Sequence, residues 1–464
     1  MRPFIRLSAA SCLLCFSLPT FAQQQGGGGI NQPGQGQNQN QAAGITIDAQ
    51  GIVAPGFVAD QSSRLDRKRR EALAAKNLPA DLNSKSDCRM VSLVWLEKQV
   101  QAALDKGEPV PDEVRCFAGV QRIDYLFVDP DHSDLIIAGP AEGFAPDPTG
   151  RQRGVSTGRP TLLLDDLLVA LRSVPNSREV GCSIDPTSAN LAALQQYVKQ
   201  NSSPATPQVI EGRYQQMAKV LGLHDVRVDG VPADSHFGRV LVEADYRMKR
   251  ISLGLENPGV KGLKSHLAML GAGGNSIQRW WFVPLYDGLY TSEDRLAYEL
   301  VGQRAQLLSQ EELTNAAGDR FAAATTRLTT QAFAKQFTER FADLADESPI
   351  FAELQNLIDW CVIVALVDRE QLADRVGWKR SLFLNAEKLP HESGPAPKQV
   401  PAMVNYRSVN RGTIVGLVAG GVTIHARSLT NPAALKTDPA RRLDTTRTSR
   451  IPNERPAAHP WWWD

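Results

Sequence analysis

The strongest constraint on the fold is a pair of apolar segments joined by a short polar turn. Residues 123–128 and 135–138 are rich in β-branched and aromatic side chains, and residues 129–134 between them are Asp, Pro, His and Ser. This pattern is typical of a β hairpin with a tight turn. Because helical segments surround it, the chain is expected to combine strands and helices rather than form a helical bundle.

Helical periodicity flanks the hairpin on both sides. Apolar residues recur at near-helical spacing over 88–105, and Ser86 and Asp87 are placed to cap that helix. Further helices are predicted at 163–173, 188–200, 212–221 and 235–253, with intervening strands at 180–184 and 224–228. In the helix at 235–253 the apolar residues occupy one face, as expected for a helix that packs on a core.

A second β region and a helical region follow. Strands are predicted at 280–286 and 297–308, then two helices at 328–345 and 350–374 that form an antiparallel helical hairpin. A last β hairpin is predicted at 413–426, with its turn at Gly420 and Gly421.

These elements predict an α+β fold, with hairpins and helices in two lobes, a C-terminal helical hairpin and disordered tails at both ends. The predicted divisions are a signal peptide at 1–22, a disordered Gln/Gly/Asn-rich linker at 23–60, a basic helical or linker segment at 61–85, a first α+β lobe at 86–275, a second lobe at 276–426 and a disordered Pro/Arg-rich tail at 427–464.

The N-terminus has the pattern of a secretory signal peptide. Arg2 and Arg6 precede an apolar stretch at 7–18, and cleavage is expected after Ala22. The alternative is a buried N-terminal helix. Later in the chain the longest apolar run, 361–367, is shorter than the ~18–20 residues that a spanning helix needs, so we interpret it as a core helix. The sequence therefore predicts export to the periplasm, the cell surface or the extracellular space, with no transmembrane segment after cleavage.

Charge and cysteine content narrow the function classes. The chain has 51 basic and 50 acidic residues, and removal of residues 1–22 leaves 49 against 50. Since a near-neutral chain has no overall attraction to nucleic acid, we predict no nucleic-acid partner. Four cysteines follow the signal peptide. In an oxidising compartment they can form up to two disulfides, in three alternative pairings, or remain buried thiols: Cys88, Cys116, Cys182 and Cys361.

Two short motifs match metal or phosphate sites only in part. The turn at 129–134 crowds three aspartates and His132, a density that can bind Ca²⁺, but it lacks the length, Gly and final Glu of an EF-hand loop. The Gly-rich segment 271–275 lacks the Lys-Ser/Thr pair of a phosphate-binding loop. We interpret them as an ordinary turn and an ordinary loop, and we predict no metal and no cofactor.

Catalytic candidates are few. Cys182 together with His224, His236 or His266 would supply a nucleophile and a base, and its position just before a helix would favour the thiolate. The alternative is a disulfide or a buried thiol. No nucleophile-elbow motif is present for a serine hydrolase.

The helix at 235–253 carries two acidic side chains close together in sequence. Glu243 and Asp245 are two residues apart, so they point in different directions and do not form a carboxylate pair. Salt bridges within the helix, to Arg239, Arg247 or Lys249, are sufficient to explain them. We therefore assign no catalytic residue.

Two groups of tryptophans are candidates for ligand or partner contact. Trp280 and Trp281 are neighbours in a predicted strand and face opposite sides, so one can enter the core while the other stacks on a sugar or a partner. Trp461, Trp462 and Trp463 follow a Pro- and Arg-rich segment. Three exposed indoles need a cover, either the body of the protein or a partner.

Several blocks of sequence, taken together, suggest a family. They include 123–130, 137–143, 182–186 and 228–232, and the most specific is FGRVLVEADYRMKR at 237–250. In order and spacing they resemble a family of exported planctomycete proteins, over roughly 86–375. The family has a domain of unknown function, so the resemblance implies an exported bacterial protein and no particular activity, cofactor or site.

The sequence favours a non-catalytic exported protein that binds a partner or contributes to the cell envelope. The expected partner is an envelope or extracellular protein or a polysaccharide. One alternative is a secreted hydrolase without a recognisable motif, with Cys182 as its thiol nucleophile. Another is a carbohydrate-binding protein that uses the exposed member of the Trp280–Trp281 pair.

Overall fold

The computed structural model describes residues 42–47, 53–57, 64–203, 205–270, 277–315, 317–409, 412–456 and 459–464. The predicted signal peptide and the Gly-rich segment 271–275 lie outside the described residues. Two stretches of the predicted linker, β1 (Ala42–Ile47) and β2 (Val53–Phe57), pair as antiparallel strands. The basic segment is helical, with α1 at Arg64–Asn77 and α2 at Ala80–Asn83.

The elements that follow run without a long break to the end of the chain. The first group is β3 (Ser86–Ser92), α3 (Leu93–Lys106), α4 (Asp112–Arg115), β4 (Tyr125–Asp129), β5 (Asp134–Ala141), β6 (Phe144–Pro146), β7 (Gln152–Gly154), α5 (Leu164–Ser173) and β8 (Val180–Asp185). The second group is α6 (Ser188–Gln200), α7 (Pro207–Leu221), β9 (Leu223–Asp229), α8 (His236–Ser252), α9 (His266–Met269), β10 (Ile277–Leu285) and β11 (Gly288–Thr291).

The remaining elements complete both sheets. The third group is β12 (Ala297–Val301), β13 (Arg304–Thr314), β14 (Arg320–Ala322), α10 (Leu328–Glu339), α11 (Phe341–Glu347), α12 (Pro349–Arg369) and α13 (Leu372–Arg375). The last group is β15 (Gln399–Pro401), β16 (Val404–Val409), β17 (Gly412–Ile424), α14 (Ala426–Leu429), β18 (Leu435–Thr437), α15 (Arg442–Arg450) and β19 (Trp462–Trp463).

Two large mixed sheets organise the described residues, which confirms the α+β class. One has the strand order β14-β13-β10-β17-β8-β9-β15, with β16 paired to β17. The other has the order β18-β11-β12-β4-β5-β3-β19. The predicted hairpin at 123–138 is present as β4 and β5, in antiparallel register from Tyr125–Ala138 to Asp129–Asp134.

The predicted boundary between two lobes at residue 275 does not separate the sheets. In the first sheet β8 pairs with β17, and in the second β4 pairs with β12. Both pairings join a strand before residue 275 to a strand after it. The sequence pattern could not indicate this because hydrophobic periodicity identifies strands but not their long-range partners.

The first folded element after the basic segment is a strand, whereas the sequence pattern predicted a helix over 88–105. β3 pairs with β5 on one side and β19 on the other, and α3 begins only at Leu93. The hydroxyl of Ser92 caps that helix by accepting a hydrogen bond from the Trp95 backbone N–H. Apolar residues that alternate over a short strand before an amphipathic helix produced a single apparent helical period.

The predicted C-terminal β hairpin exists, but its turn is elsewhere. β16 and β17 pair from Val404–Leu417 to Val409–Gly412. Gly420 and Gly421 lie inside β17, where it runs beside β10 and β8. A Cβ atom at Gly420 would lie 1.7 Å from the Trp280 carbonyl oxygen, so glycine is required by close strand approach.

The C-terminal helices form the core rather than a simple hairpin. The predicted helix at 328–345 is two helices, of which α10 packs mainly on β13 and α11 on α12. By length and composition α12 could cross a membrane, but its apolar window is entirely buried within the protein. The 361–367 run is thus part of a core helix, in a helix longer than that run.

The segment 427–464 was predicted to be a disordered tail, and this is wrong for its described residues. β18 pairs with β11 and β19 pairs with β3, so the segment closes both ends of the second sheet. Leu443 and Trp463 are buried against Met90 and Phe127 on the outer face of that sheet. Proline and arginine content suggested disorder, but the few apolar side chains are placed so that each meets the sheet.

The four cysteines after position 22 are free and buried, so the predicted disulfides are not formed. They lie on separate elements: Cys88 in β3, Cys116 after α4, Cys182 in β8 and Cys361 in α12. Burial raises the pKa of Cys116 to about 12 and that of Cys361 well above its usual range. These thiols behave as small apolar side chains.

Candidate functional site

Five charged side chains meet in a buried cluster between α5, α8, α12 and the loop at 147–160. We call this set the closed network; its members are Arg151, Asp166, His236, Glu243 and Glu353. Their side chains are between 2% and 15% exposed. A concentration of buried charge of this kind marks either a functional site or a structural ion-pair network.

Arg151 bridges two carboxylates from two helices. Its Nε donates to both carboxylate oxygens of Glu353, at 3.1 and 3.0 Å, and its Nη2 donates to Oε2 of Glu243 at 2.6 Å. On the other side of Glu353, the Nε2 atom of His236 lies 3.8 Å from Oε1. The His236 ring is held through Nδ1, which is 2.9 Å from Oδ1 of Asp166.

Helix α8 presents two members of the closed network on one face. His236 and Glu243 are seven residues apart, about two helical turns, so they lie one above the other. The start of the helix is fixed by Ser235, whose side chain accepts a hydrogen bond from the Gly238 backbone N–H. Placement of His236 next to Asp166 therefore follows from the N-terminal cap and from the packing of α8 on α5.

The charges of His236 and Glu353 reinforce each other. Burial by itself lowers the pKa of His236, but the neighbouring carboxylates of Asp166 and Glu353 outweigh it and raise the pKa to about 10. Burial by itself raises the pKa of Glu353, but Arg151 and His236 outweigh it and lower the pKa to about 2. Both groups are therefore charged throughout the neutral range.

This arrangement is unsuited to proton transfer. A general acid or base works best when its pKa is near the operating pH. His236, at about 10, and Glu353, at about 2, are far from neutrality in opposite directions. What the closed network can do is hold the loop at 147–160 against α8 and α12.

A second set of ion pairs fixes the same loop to α1. Arg153 lies 3.6 Å from carboxylate oxygens of both Asp66 and Asp147. Arg70, predicted to lie on the solvated face of a helix, is buried, pairs with Asp66 and donates to the Gly154 carbonyl oxygen at 3.2 Å. The basic run of α1 thus supports the loop.

The structure does not assemble the predicted Cys–His pair. Cys182 is buried in β8, and burial raises its pKa well above the ordinary value. Among the described side chains, no hydrogen bond joins its sulfur to a histidine ring. Burial lowers the pKa of both His224 and His266 to about 4, so both rings are neutral. The third candidate, His236, belongs to the closed network.

Glu243 and Asp245 point apart, as their spacing predicts, but only one has the predicted type of partner. Asp245 pairs with Lys249 one turn later at 2.7 Å, and both side chains are fully buried. Glu243 pairs with Arg151, 92 residues away in the chain. The prediction of salt bridges within the helix is right for Asp245 and wrong for Glu243.

In the turn at 129–134, charged partners come from the protein itself. Arg455 of the C-terminal segment lies 2.6 Å from Asp134 and 3.4 Å from Asp129. The His132 Nδ1 atom is 2.8 Å from the other side of Asp129. An arginine therefore occupies the place between the carboxylates that the alternative interpretation gave to a calcium ion.

The tryptophans occupy different environments. Trp280 is fully buried and donates from Nε1 to the Thr330 carbonyl oxygen, whereas Trp281, on the opposite face of β10, is only half-buried and lies under Arg279. Trp461, Trp462 and Trp463 are buried, with exposures of 4–6%. The Arg89 guanidinium lies 4.7 Å from the Trp462 ring centroid, and it also pairs with Asp464. The body of the protein therefore covers the three terminal indoles.

Sequence reasoning missed three members of the closed network: Arg151, Asp166 and Glu353. They come from a loop and two helices, and the partners are between 70 and 202 residues apart. The available signal was in α8, where charged residues interrupt a helix that is otherwise suited to a core. A charge inside a core helix needs a partner, but the sequence does not say which one.

Comparison with known proteins adds one finding. A family described as a protein of unknown function (DUF1598) matches residues 182–266. No curated protein and no solved structure matches the chain. The matched region contains all of α8, including the 237–250 block, and so supports an uncharacterised family over this part of the chain.

Proposed function

We propose that this protein is exported and acts without catalysis, by binding a partner or contributing to the cell envelope. The observation that carries the proposal is the closed network. Its histidine and one of its carboxylates have pKa values near 10 and 2, so the most concentrated set of ionisable groups in the described chain is committed to holding structure.

Export rests on the sequence of the first 22 residues. Two arginines, an apolar stretch and a small residue at the expected cleavage position support a signal peptide. The resemblance to exported planctomycete proteins points the same way. The proposed location is the periplasm, the cell surface or the extracellular space, and the proposed partner is an envelope or extracellular protein or a polysaccharide.

The non-catalytic part is tested by titrating His236 with proton NMR. The ring signals of the wild type and of His236→Asn, compared from pH 5 to pH 10, identify the His236 resonance. We expect that resonance to stay in its protonated position up to about pH 9. A midpoint between pH 6 and 8 would leave His236 free to act as a general base, and the proposal would fail.

The thiol-hydrolase alternative is tested by alkylation of the exported protein without reduction. We expect all four thiols to react after denaturation and none to react quickly in the folded protein, because all are buried. Fast native labelling of Cys182 alone would favour the hydrolase. Mass spectrometry of the same sample tests export, since the mature chain is expected to begin at Gln23.

A further inference from the structure

A cavity of about 240 Å³ lies on the other side of the loop that carries Arg151. It opens between the start of β3, the end of β5, the loop at 147–160 and α11. Its cationic lining residues are Lys85, Arg122 and Arg159. We call it the arginine cavity; it shares no side chain with the closed network.

The floor of the arginine cavity is rigid. Gln121 and Glu142 are both 2% exposed, and Nε2 of Gln121 donates to Oε1 of Glu142 at 3.0 Å. Glu142 also accepts hydrogen bonds from the backbone N–H groups of Ser156 and Thr157 and from the Thr157 hydroxyl. Four donors thus offset its negative charge, and the loop is fastened in place before any ligand arrives.

Close packing at Gly154 shows how tightly the floor is built. A Cβ atom there would lie 2.0 Å from Oε1 of Glu142 and 2.1 Å from Nε2 of Gln121. The loop can approach the floor this closely only without a side chain. Such a preformed wall is typical of ligand sites, because little ordering remains to oppose binding.

Positive charge is concentrated at Arg159. Its side chain is only 15% exposed, and it contacts Asp346 and Gln355, each at 2.5 Å. Burial lowers the pKa of Arg159; Asp346 opposes that shift, and repulsion from Arg122 and Arg304 adds to it. Asp346 is 66% exposed, so water screens its attraction. An anion in the cavity would relieve the repulsion between the guanidinium groups.

We propose that the arginine cavity binds a small organic carboxylate that also carries hydroxyl groups, of the size of a single uronic acid. Guanidinium groups match the planar geometry of a carboxylate and can donate two parallel hydrogen bonds to it. The carboxylates of Asp87 and Asp346, also in the lining, can accept from ligand hydroxyls. The volume corresponds to about eight water molecules, at roughly 30 Å³ each.

This inference deepens the binding role proposed above and rests on it. The ligand chemistry is the same whether the acid is free or is one unit of an acidic polysaccharide. The proposal identifies the recognised group, a carboxylate on a polyol.

The test is isothermal titration of the full mature chain with D-glucuronate at low ionic strength, beside D-glucose and sulfate. We expect saturable binding of glucuronate, none of glucose, and no competition from sulfate at equal concentration. Arg122→Gln should weaken glucuronate binding at least tenfold. Arg115→Gln is the matched control, since Arg115 is 40% exposed against 37% for Arg122, is also ion-paired, and lies outside the cavity.

Absence of saturable glucuronate binding, or equal binding by Arg122→Gln and wild type, would overturn the proposal. Equal binding of sulfate would overturn the carboxylate class, because charge alone would then decide recognition. Lys85→Gln, at an exposed position, is a second variant that should weaken binding if Arg122→Gln does not fold. Failure here leaves the NMR and alkylation results of the proposed function unaffected, so the two proposals can fail separately.

Discussion

The closed network and the arginine cavity are built from the same loop, yet their arginines differ in what surrounds them. Arg151 is 11% exposed and lies between two carboxylates that are 2% and 6% exposed. Arg159 is 15% exposed, but its carboxylate partner, Asp346, is mostly in solvent. Similar burial of the arginine therefore leads to different consequences, because the exposure of the partner decides how much positive charge remains available.

The largest expected effect comes from opening the closed network. Glu353→Gln removes the charge that neutralises Arg151 and His236, and we expect a loss of about 3–5 kcal/mol in the free energy of unfolding, as for other broken buried ion pairs. Urea denaturation measures it. Glu339→Gln, at a 61% exposed side chain, is the control and should change stability by less than about 0.5 kcal/mol. Equal losses in both variants would show that the network contributes nothing special.

The next effect is a pH dependence that the arginine cavity should not share. The pKa of His236 is raised from 6.5 to about 10, so its stabilising contribution is complete below pH 6.5 and is lost as the pH rises toward 10. The pKa of Glu353 is lowered from 4.5 to about 2, so its contribution is complete above pH 4.5 and is lost as the pH falls toward 2. The closed network should therefore stabilise most between pH 4.5 and 6.5.

The corresponding measurement is the difference in unfolding free energy between wild type and His236→Asn at pH 5.5, 7.5 and 9.5. We expect this difference to shrink steadily as the pH rises. A difference that stays constant over the three values would mean that His236 is not held protonated in the folded protein.

A smaller loss of stability is expected at the arginine cavity. Arg159→Gln removes two hydrogen bonds, to Asp346 and Gln355, and should cost about 1–2 kcal/mol. The same denaturation assay measures it. A cost as large as that of Glu353→Gln would remove the contrast between the two regions.

The smallest expected change in stability is at Arg122. Its ion pair with Asp124 is partly exposed on both sides, so Arg122→Gln should shift the free energy of unfolding by no more than about 0.5 kcal/mol. The combination sharpens the comparison, since this variant should lose glucuronate binding while keeping its stability. A large loss of stability would instead identify Arg122 as part of the scaffold.

The sequence predicted what local patterns determine. The hairpin of β4 and β5, the amphipathic α8, the opposite faces of Trp280 and Trp281 and the core position of 361–367 all follow from spacing alone. The errors arose where distant segments decide. β3 looked helical because its sheet partners are β5 and β19, and the tail looked disordered because the sheet it covers is formed elsewhere in the chain.

The candidate site was less predictable for the same reason. Glu243 was noticed, but its partner was sought within the helix, four residues away, instead of on the loop at 147–160. Glu142 and Arg159 drew no attention because single charged residues in a polar loop are ordinary. Only the fold shows that four donors converge on Glu142 and that Arg159 is enclosed.

The pairing of β19 with β3 has a consequence for the order in which the protein can be completed. Arg89 and Asp464, which join these strands, are 375 residues apart in the chain. A polypeptide that emerges N-terminus first therefore carries β3 with one edge unsatisfied until nearly all of its length has appeared, and an open strand edge can pair with other chains. Any partner that assists this protein during its emergence would have most to protect at that edge.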